Sequence, residues 1–139
     1  MARSGFALHC KKGSALRYLE VSVGNGGDVS KRDKPLCQRI TNITVCYGAT
    51  EAVKNVSMEV KEGEFVTLIG ANGAGKSSTL KAICGLVPAQ GGTIMLDERD
   101  ITNLSGHSIV RAGVTLCPEG RQVFPQMSVL QNLRMGAYV

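Results

Sequence analysis

The alternation of apolar and polar residues predicts two neighbouring strands near the middle of the chain. Residues 43–47 and 56–60 each alternate apolar with polar positions, which is typical of strands with one buried face. Gly48 lies between them, so we expect an antiparallel pair that turns around this residue. Residues 65–69 form an almost continuous apolar run, as expected of a strand buried on both faces of a parallel sheet.

A helix is predicted shortly after this run. Apolar residues recur there at the spacing of one helix face, at Leu80, Ile83, Cys84 and Val87. Gly85 and Pro88 are the signals that end it. The remaining predicted elements are an alternating strand over 93–97, a short helix capped by Ser105 and ending at Gly113, a second buried strand over 114–117, and a last helix that begins at Ser128.

The segment between the apolar run and the helix is glycine-rich, and it predicts a phosphate-binding loop. Residues 70–77 (GANGAGKS) fit the pattern GxxxxGK[ST]. Glycines let the backbone turn sharply and bring several N–H groups against phosphate oxygens. Lys76 can reach the outer phosphates, Ser77 offers a hydroxyl to Mg²⁺, and the following helix directs its positive end at the anion. The alternative is a glycine-rich turn, whose chance match in a chain this short is on the order of one per cent.

Composition and charge argue for one modest domain that does not bind nucleic acid. The 139 residues are 43% hydrophobic and carry a formal net charge of +5. Seven basic and three acidic residues precede Pro35, against nine and eight in the rest, so the remaining chain is nearly neutral. With three Phe, three Tyr and no Trp, it offers neither a basic face nor an aromatic stacking platform.

The five cysteines include no CxxC pair, which favours reduced thiols and a reducing compartment. Cys84 and Cys117 lie within apolar patterns and are expected to be small core residues. His9 and His107 are isolated and are expected at the surface.

Residues 1–35 show no sustained periodicity and are expected to form an irregular or disordered extension, dispensable for the fold. The first nineteen residues hold four basic and no acidic side chains, which faintly resembles an organelle transit peptide. We favour the simpler interpretation of a non-family or misread N-terminus. Residues 36–139 then form a partial nucleotide-binding domain.

The order of the motifs resembles that of ABC transporter ATPase domains. The resemblance rests on Tyr47-Gly48, on residues 60–65 (VKEGEF), on the loop, on residues 92–94 and on residues 118–125 (PEGRQVFP). It is closest to the ATP-binding subunits of branched-chain amino acid importers, in which a LIGANGAGK loop and a PEGR segment occur together. The implied fold is α/β, a P-loop NTPase core of the ABC ATPase type with an N-terminal antiparallel β subdomain, truncated before the helical subdomain and the second half of the core.

The resemblance implies ATP and Mg²⁺ as ligands. Tyr47 would stack on the adenine ring, although an ordinary strand tyrosine is the alternative. The residues implied to hold the phosphates are Gly70, Asn72, Gly73, Ala74, Gly75, Lys76, Ser77 and Ser78, with Lys76 also catalytic and Ser77 also a metal ligand. Glu119 stands where most ABC ATPases place a glutamine that links Mg²⁺ and the attacking water to the membrane subunit. It could act on a metal-bound water, or it could be a solvated loop acid.

The family's signature motif, catalytic glutamate and switch histidine would all follow residue 139, so the sequence resembles an N-terminal fragment, and hydrolysis by it stays open. The predicted strands over 65–69 and 114–117 would then have exposed edges. By resemblance the function is that of an ATP-binding subunit of an importer of amino acids, of the branched-chain kind. It would work with permease subunits and a second ATPase subunit, at the cytoplasmic face of the cell membrane. The alternatives are a nucleotide-binding fragment without catalysis and another P-loop NTPase or kinase.

Overall fold

The computed structural model describes residues 6–9, 17–20, 36–117 and 123–138. Within these ranges the strands are β1 (Phe6–His9), β2 (Arg17–Glu20), β3 (Leu36–Tyr47), β4 (Thr50–Lys61), β5 (Phe65–Leu68), β6 (Gly91–Leu96), β7 (Arg99–Asp100) and β8 (Val114–Leu116). The helices are α1 (Lys76–Ile83), α2 (Gly106–Arg111) and α3 (Val129–Gly136). The strands form two four-stranded sheets, ordered β4-β3-β6-β7 and β5-β1-β2-β8.

The first sheet is antiparallel throughout and is built on the β3–β4 hairpin. Tyr47 and Thr50 face each other beside the turn, and Gly48 has a positive φ of 59°, a conformation that glycine adopts easily. Ile43 and Val45 are fully buried, so the hairpin predicted from the alternating pattern is confirmed, with longer strands than the pattern indicated.

The second sheet contains two strands from the segment that was expected to be irregular. β1 runs antiparallel to both β5 and β2, and β2 runs parallel to β8. The expectation of a wholly irregular extension is therefore wrong at these two strands. β5 and β8 are the two edge strands of this sheet, so each is paired on one side, and the expected exposed edge remains on its other side within the described residues. The rest of residues 1–35 lies outside the described residues, and the domain boundary near residue 36 stays a prediction.

The burial of β5 also differs from the prediction. Val66 and Leu68 pack against the core, whereas Phe65 is 62% exposed and Ile69 is 71% exposed. Only one face of β5 packs on the core, so the predicted burial of this strand on both faces is wrong. In β8, Val114 is buried, but the following Cys117 is exposed, so its predicted place in the core is wrong.

Helix α1, which was predicted from its apolar spacing, packs against β3 and β4 of the first sheet. Leu80, Ile83 and Cys84 are buried and join one core cluster with residues of both sheets. Behind Cys84 the chain turns through Gly85, whose φ is 67°. The Gly85 N–H donates to the Ala82 carbonyl and the Leu86 N–H to the Lys81 carbonyl, at 3.0 and 2.8 Å, which satisfies the last carbonyls of the helix.

The two later helices begin at the predicted serines. The Ser108 N–H donates to Ser105 Oγ at 3.3 Å at the start of α2. At the start of α3, Ser128 and Gln131 form a reciprocal capping box. None of the α3 residues is buried. The strand β7 was not predicted, since a two-residue strand shows no periodicity.

The cysteines are not all reduced. Cys37, near the start of β3, is disulfide-bonded, whereas Cys46, Cys84 and Cys117 are free thiols. The sequence-based expectation of reduced cysteines is thus wrong at Cys37.

Candidate nucleotide-binding site

The glycine-rich loop connects β5 to α1. Gly73 and Gly75 have positive φ angles of 84° and 83°, so both occupy the left-handed region that other residues avoid. The Ala74 N–H donates to the Ala71 carbonyl at 3.1 Å, which tightens the turn. Gly75 is the N-cap of α1. The loop therefore leads its backbone directly into the amino end of the helix.

The two glycines differ in their surroundings. A Cβ atom built on Gly75 would collide with the Ala52 carbonyl oxygen and would lie 3.1 Å from Val53 Cγ2. A Cβ atom on Gly73 would have nothing within 4 Å. One side of the loop is thus pressed against the start of β4, and the other side is open.

The amino end of α1 has the properties of an anion site. Gly75 caps the helix without a side chain, and the first turn contains no acidic residue. The first internal bond of the helix runs from the Thr79 N–H to the Gly75 carbonyl at 2.8 Å. The N–H groups of Lys76, Ser77 and Ser78 precede that bond, so they are the donors that a helix cannot satisfy internally.

Thr79 holds this geometry and was missed in the sequence analysis. It is buried, and its Oγ1 donates to the Gly75 carbonyl at 3.0 Å. The signal was available, because a hydroxyl four residues after a turn glycine can bond back to that glycine's carbonyl in a helix.

Lys76 reaches back over the loop. Its Nζ donates to the Gly70 carbonyl at 2.9 Å and to the Ala71 carbonyl at 2.8 Å. The ammonium group therefore lies beside the start of the loop, where its charge adds to the positive end of α1. Two neutral carbonyls are weaker partners for an ammonium than phosphate oxygens, so these bonds can be exchanged for a ligand.

Tyr47 lies at the same end of the first sheet as the loop. Its partner Thr50 precedes Ala52 by two residues in β4, a distance of about 7 Å along a strand. Ala52 is the residue whose carbonyl faces Gly75. Tyr47 is 47% exposed, so its ring offers an accessible face near the loop.

The structure gives the exposure of all but one of the other predicted site residues. Asn72, Ala74 and Ser77 are exposed, and Gly70 and Ser78 are half-buried. Glu119 lies outside the described residues.

Among the described residues there is no group of three or more His, Cys, Asp or Glu side chains that could hold a metal ion. Mg²⁺ bound mainly through phosphates and one hydroxyl would not need such a group. His107 is exposed on α2, as predicted. None of the helices in the part of the chain that the structure describes has the length and apolar content of a membrane span.

The comparison with protein families identifies the part of the chain that contains this loop. The family model described as ABC transporter matches residues 53–138. The high-affinity branched-chain amino acid transport ATP-binding protein BraG of Pseudomonas aeruginosa is 44% identical over 96 residues, which cover 69% of this chain and 41% of that protein. The lipopolysaccharide export system ATP-binding protein LptB of Escherichia coli is 38% identical over 92 residues, covering 66% of this chain and 38% of that protein. The chain thus spans about two fifths of the length of these relatives.

Solved structures give the same result. The ADP conformation of an ATP-binding cassette of an ABC transporter aligns with a TM-score of 0.55 and 25% identity, over 73% of this chain and 46% of that one. An ATP-binding subunit of an ABC transporter aligns equally well, with a TM-score of 0.55, 22% identity and coverage of 73% and 42%. These neighbours confirm the predicted α/β fold of the ABC ATPase type. Because the family model matches more than half of its length, the chain belongs to the ABC transporter family and carries part of its ATP-binding cassette.

Proposed function

We propose that this chain is the nucleotide-binding part of an ABC importer subunit and that the loop between β5 and α1 holds the phosphates of Mg·ATP. The observation that carries the proposal is the convergence of the Lys76 ammonium and the amino end of α1 on one loop. Positive charge and free N–H groups directed at one place are what a polyphosphate requires.

Each residue has a separate task in this proposal. The N–H groups of residues 76–78 donate to phosphate oxygens, and Lys76 exchanges its two carbonyl partners for the outer phosphates. Ser77 is exposed at the start of α1, and its hydroxyl would hold Mg²⁺, which supplies charge neutralisation to the phosphates when bound. Tyr47 would cover one face of the adenine ring.

The transported substrate is proposed from the relatives. Identity is higher to a branched-chain amino acid transport protein, at 44%, than to a lipopolysaccharide export protein, at 38%. Residues 118–121 (PEGR) favour the first group by resemblance. Permease subunits, a second ATPase subunit and a position on the inner face of the cell membrane are proposed on the same basis. Copurification should retain the permease subunits of a branched-chain amino acid importer and not those of a lipopolysaccharide exporter.

Calorimetric titration with Mg·ATP tests the phosphate site. We expect Lys76→Ala to weaken binding at least about tenfold, since a hydrogen bond to a charged group contributes about 1.5–3 kcal/mol. Lys81→Ala is the matched control, because Lys81 is an exposed lysine in the last turn of the same helix. Equal affinity of Lys76→Ala and Lys81→Ala would contradict the assignment.

A second candidate function is that of another P-loop NTPase or kinase, which would share the strand, loop and helix. Competition between ATP and GTP separates the two. The Tyr47-Gly48 hairpin before the loop favours the ABC ATPase by resemblance, and the sequence contains no guanine-reading motif. Displacement of ATP by an equal concentration of GTP would favour the second candidate.

A further inference from the structure

The strand that leads into the phosphate loop depends on the N-terminal segment for its sheet pairing. In the order β5-β1-β2-β8, β5 has β1 as its neighbour and β8 has β2. β5 and β8 are the edge strands of the described sheet, so each has a hydrogen-bonded neighbour on one side only. All four residues of β5 face residues of β1, from Phe65 opposite His9 to Leu68 opposite Phe6.

The loop itself is fixed at both of its ends. Its far end is held by α1 and by the close contact of Gly75 with Ala52 of the first sheet. Its near end, Gly70, follows Leu68 by two residues and accepts a hydrogen bond from Lys76. β5 is the element immediately before Gly70, and all of its sheet pairing within the described residues is with β1.

We propose that β1 and β2 dock as a strand pair between β5 and β8 and thereby hold the near end of the phosphate loop in its binding conformation. The N-terminal segment is then a positioning element of the nucleotide site. The effect of β1 and β2 on the conformation of the loop does not require a bound ligand. Their effect on ATP affinity rests on the proposed function.

The arrangement has a physical reason. Unpaired edge strands leave a row of N–H and C=O groups that must find partners. β1 is antiparallel to β5 on one side and to β2 on the other, and β2 adds a parallel ladder with β8 through Arg17, Tyr18 and Leu19. When β1 and β2 are inserted as a pair, each of their two outer edges bonds to a strand, and β5 and β8 each gain one hydrogen-bonded neighbour.

Hydrogen exchange on the full, nucleotide-free chain tests the inference. Leu8 faces Val66 of β5 and Leu19 of β2, so Leu8→Pro removes a donor and clashes in the centre of the ladder. We expect exchange over Phe65–Leu68 to speed up about tenfold or more, with exchange in β6 of the other sheet unchanged. Leu8→Val keeps the N–H and a strand-favouring side chain, and it should exchange like the wild type.

Nucleotide titration of the same variants gives the second readout. Leu8→Pro should weaken Mg·ATP binding about tenfold, and Leu8→Val should bind Mg·ATP like the wild type. Unchanged exchange over β5 in Leu8→Pro overturns the inference even if ATP binds. Faster exchange over β5 in a protein that binds no ATP supports the inference and contradicts the proposed function instead.

A paired cysteine variant keeps the test valid if Leu8→Pro unfolds the chain. Ala7 faces Thr67 across the β1–β5 ladder, so the double variant Ala7→Cys, Thr67→Cys should form a disulfide under mild oxidation, as mapped by mass spectrometry. The control pair Ala7→Cys, Ser57→Cys places the second thiol in β4 of the other sheet and should not cross-link. Equal cross-linking of both pairs, or of neither, overturns the docking of β1 on β5.

Discussion

At the scale of single residues, we expect Tyr47 and the proposed phosphate loop to contribute to nucleotide binding in separable ways. Tyr47→Ala should weaken ATP and ADP to the same extent, by about tenfold, because ring stacking does not involve the γ-phosphate. Tyr47→Phe keeps the aromatic face and should bind both nucleotides like the wild type. Fluorescence competition with the two nucleotides measures this. A loss confined to ATP would show that Tyr47 acts on the phosphates and not on the base.

Cys84 makes the fold sensitive to alkaline pH. Burial raises the pKa of the Cys84 thiol to about 12 from an ordinary value of 9.0. Between these values the unfolded chain loses the proton and the folded chain keeps it, so stability is complete below about pH 9 and falls as the pH rises toward 12. The loss is at most about 1.4 kcal/mol per pH unit.

Urea unfolding at pH 8 and pH 10.5 measures this dependence. Cys84→Ala is the control, because it removes the titrating group from the same core position at some cost in packing. Its free energy of unfolding should change less between the two pH values than that of the wild type. An equal change in both proteins would assign the alkaline sensitivity to other groups.

At the scale of elements, the phosphate loop is defined by how its two left-handed glycines meet the hairpin. Gly75→Ala and Gly73→Ala impose similar backbone strain, since the φ angles are 83° and 84°. Only the Gly75 variant also presses a methyl group onto the Ala52 carbonyl. We expect it to lower the melting temperature and the ATP affinity more than Gly73→Ala. Equal losses would show that the contact between the loop and β4 is unimportant.

At the scale of the whole molecule, we expect these 139 residues to bind ATP without turning it over. Phosphoryl transfer needs a positioned metal and water besides a phosphate cradle. The resemblance assigns the water-orienting acid to a later part of the cassette, and the chain spans 41% of BraG. Phosphate release should therefore equal that of a Lys76→Ala control. Turnover well above that control would require a catalytic acid within this sequence, with Glu119 the first to substitute.

The phosphate loop, the hairpin and α1 could be predicted because their signals are local. The residues that define them lie within a few positions of each other, at GxxxxGK[ST], at Gly48 and at the spacing of Leu80 and Ile83. The site residue that was missed, Thr79, also acts locally. Its hydroxyl lies four residues after Gly75, and this spacing alone allows the bond to the Gly75 carbonyl.

The sequence by itself determined the longer strands, the loop and the helices from residue 36 onward, and it predicts phosphate-binding chemistry for the loop. Only the tertiary structure decided which strands pair beyond the β3–β4 hairpin, which face of β5 is buried, and that Gly75 lies against Ala52. The physical reason is that element type follows from short-range periodicity and backbone preference, whereas pairing is a choice among distant segments. β1 and β2 are four residues each, too short to show a period. Their place beside β5 and β8 therefore depends on the edges that those strands offer and not on any pattern of their own.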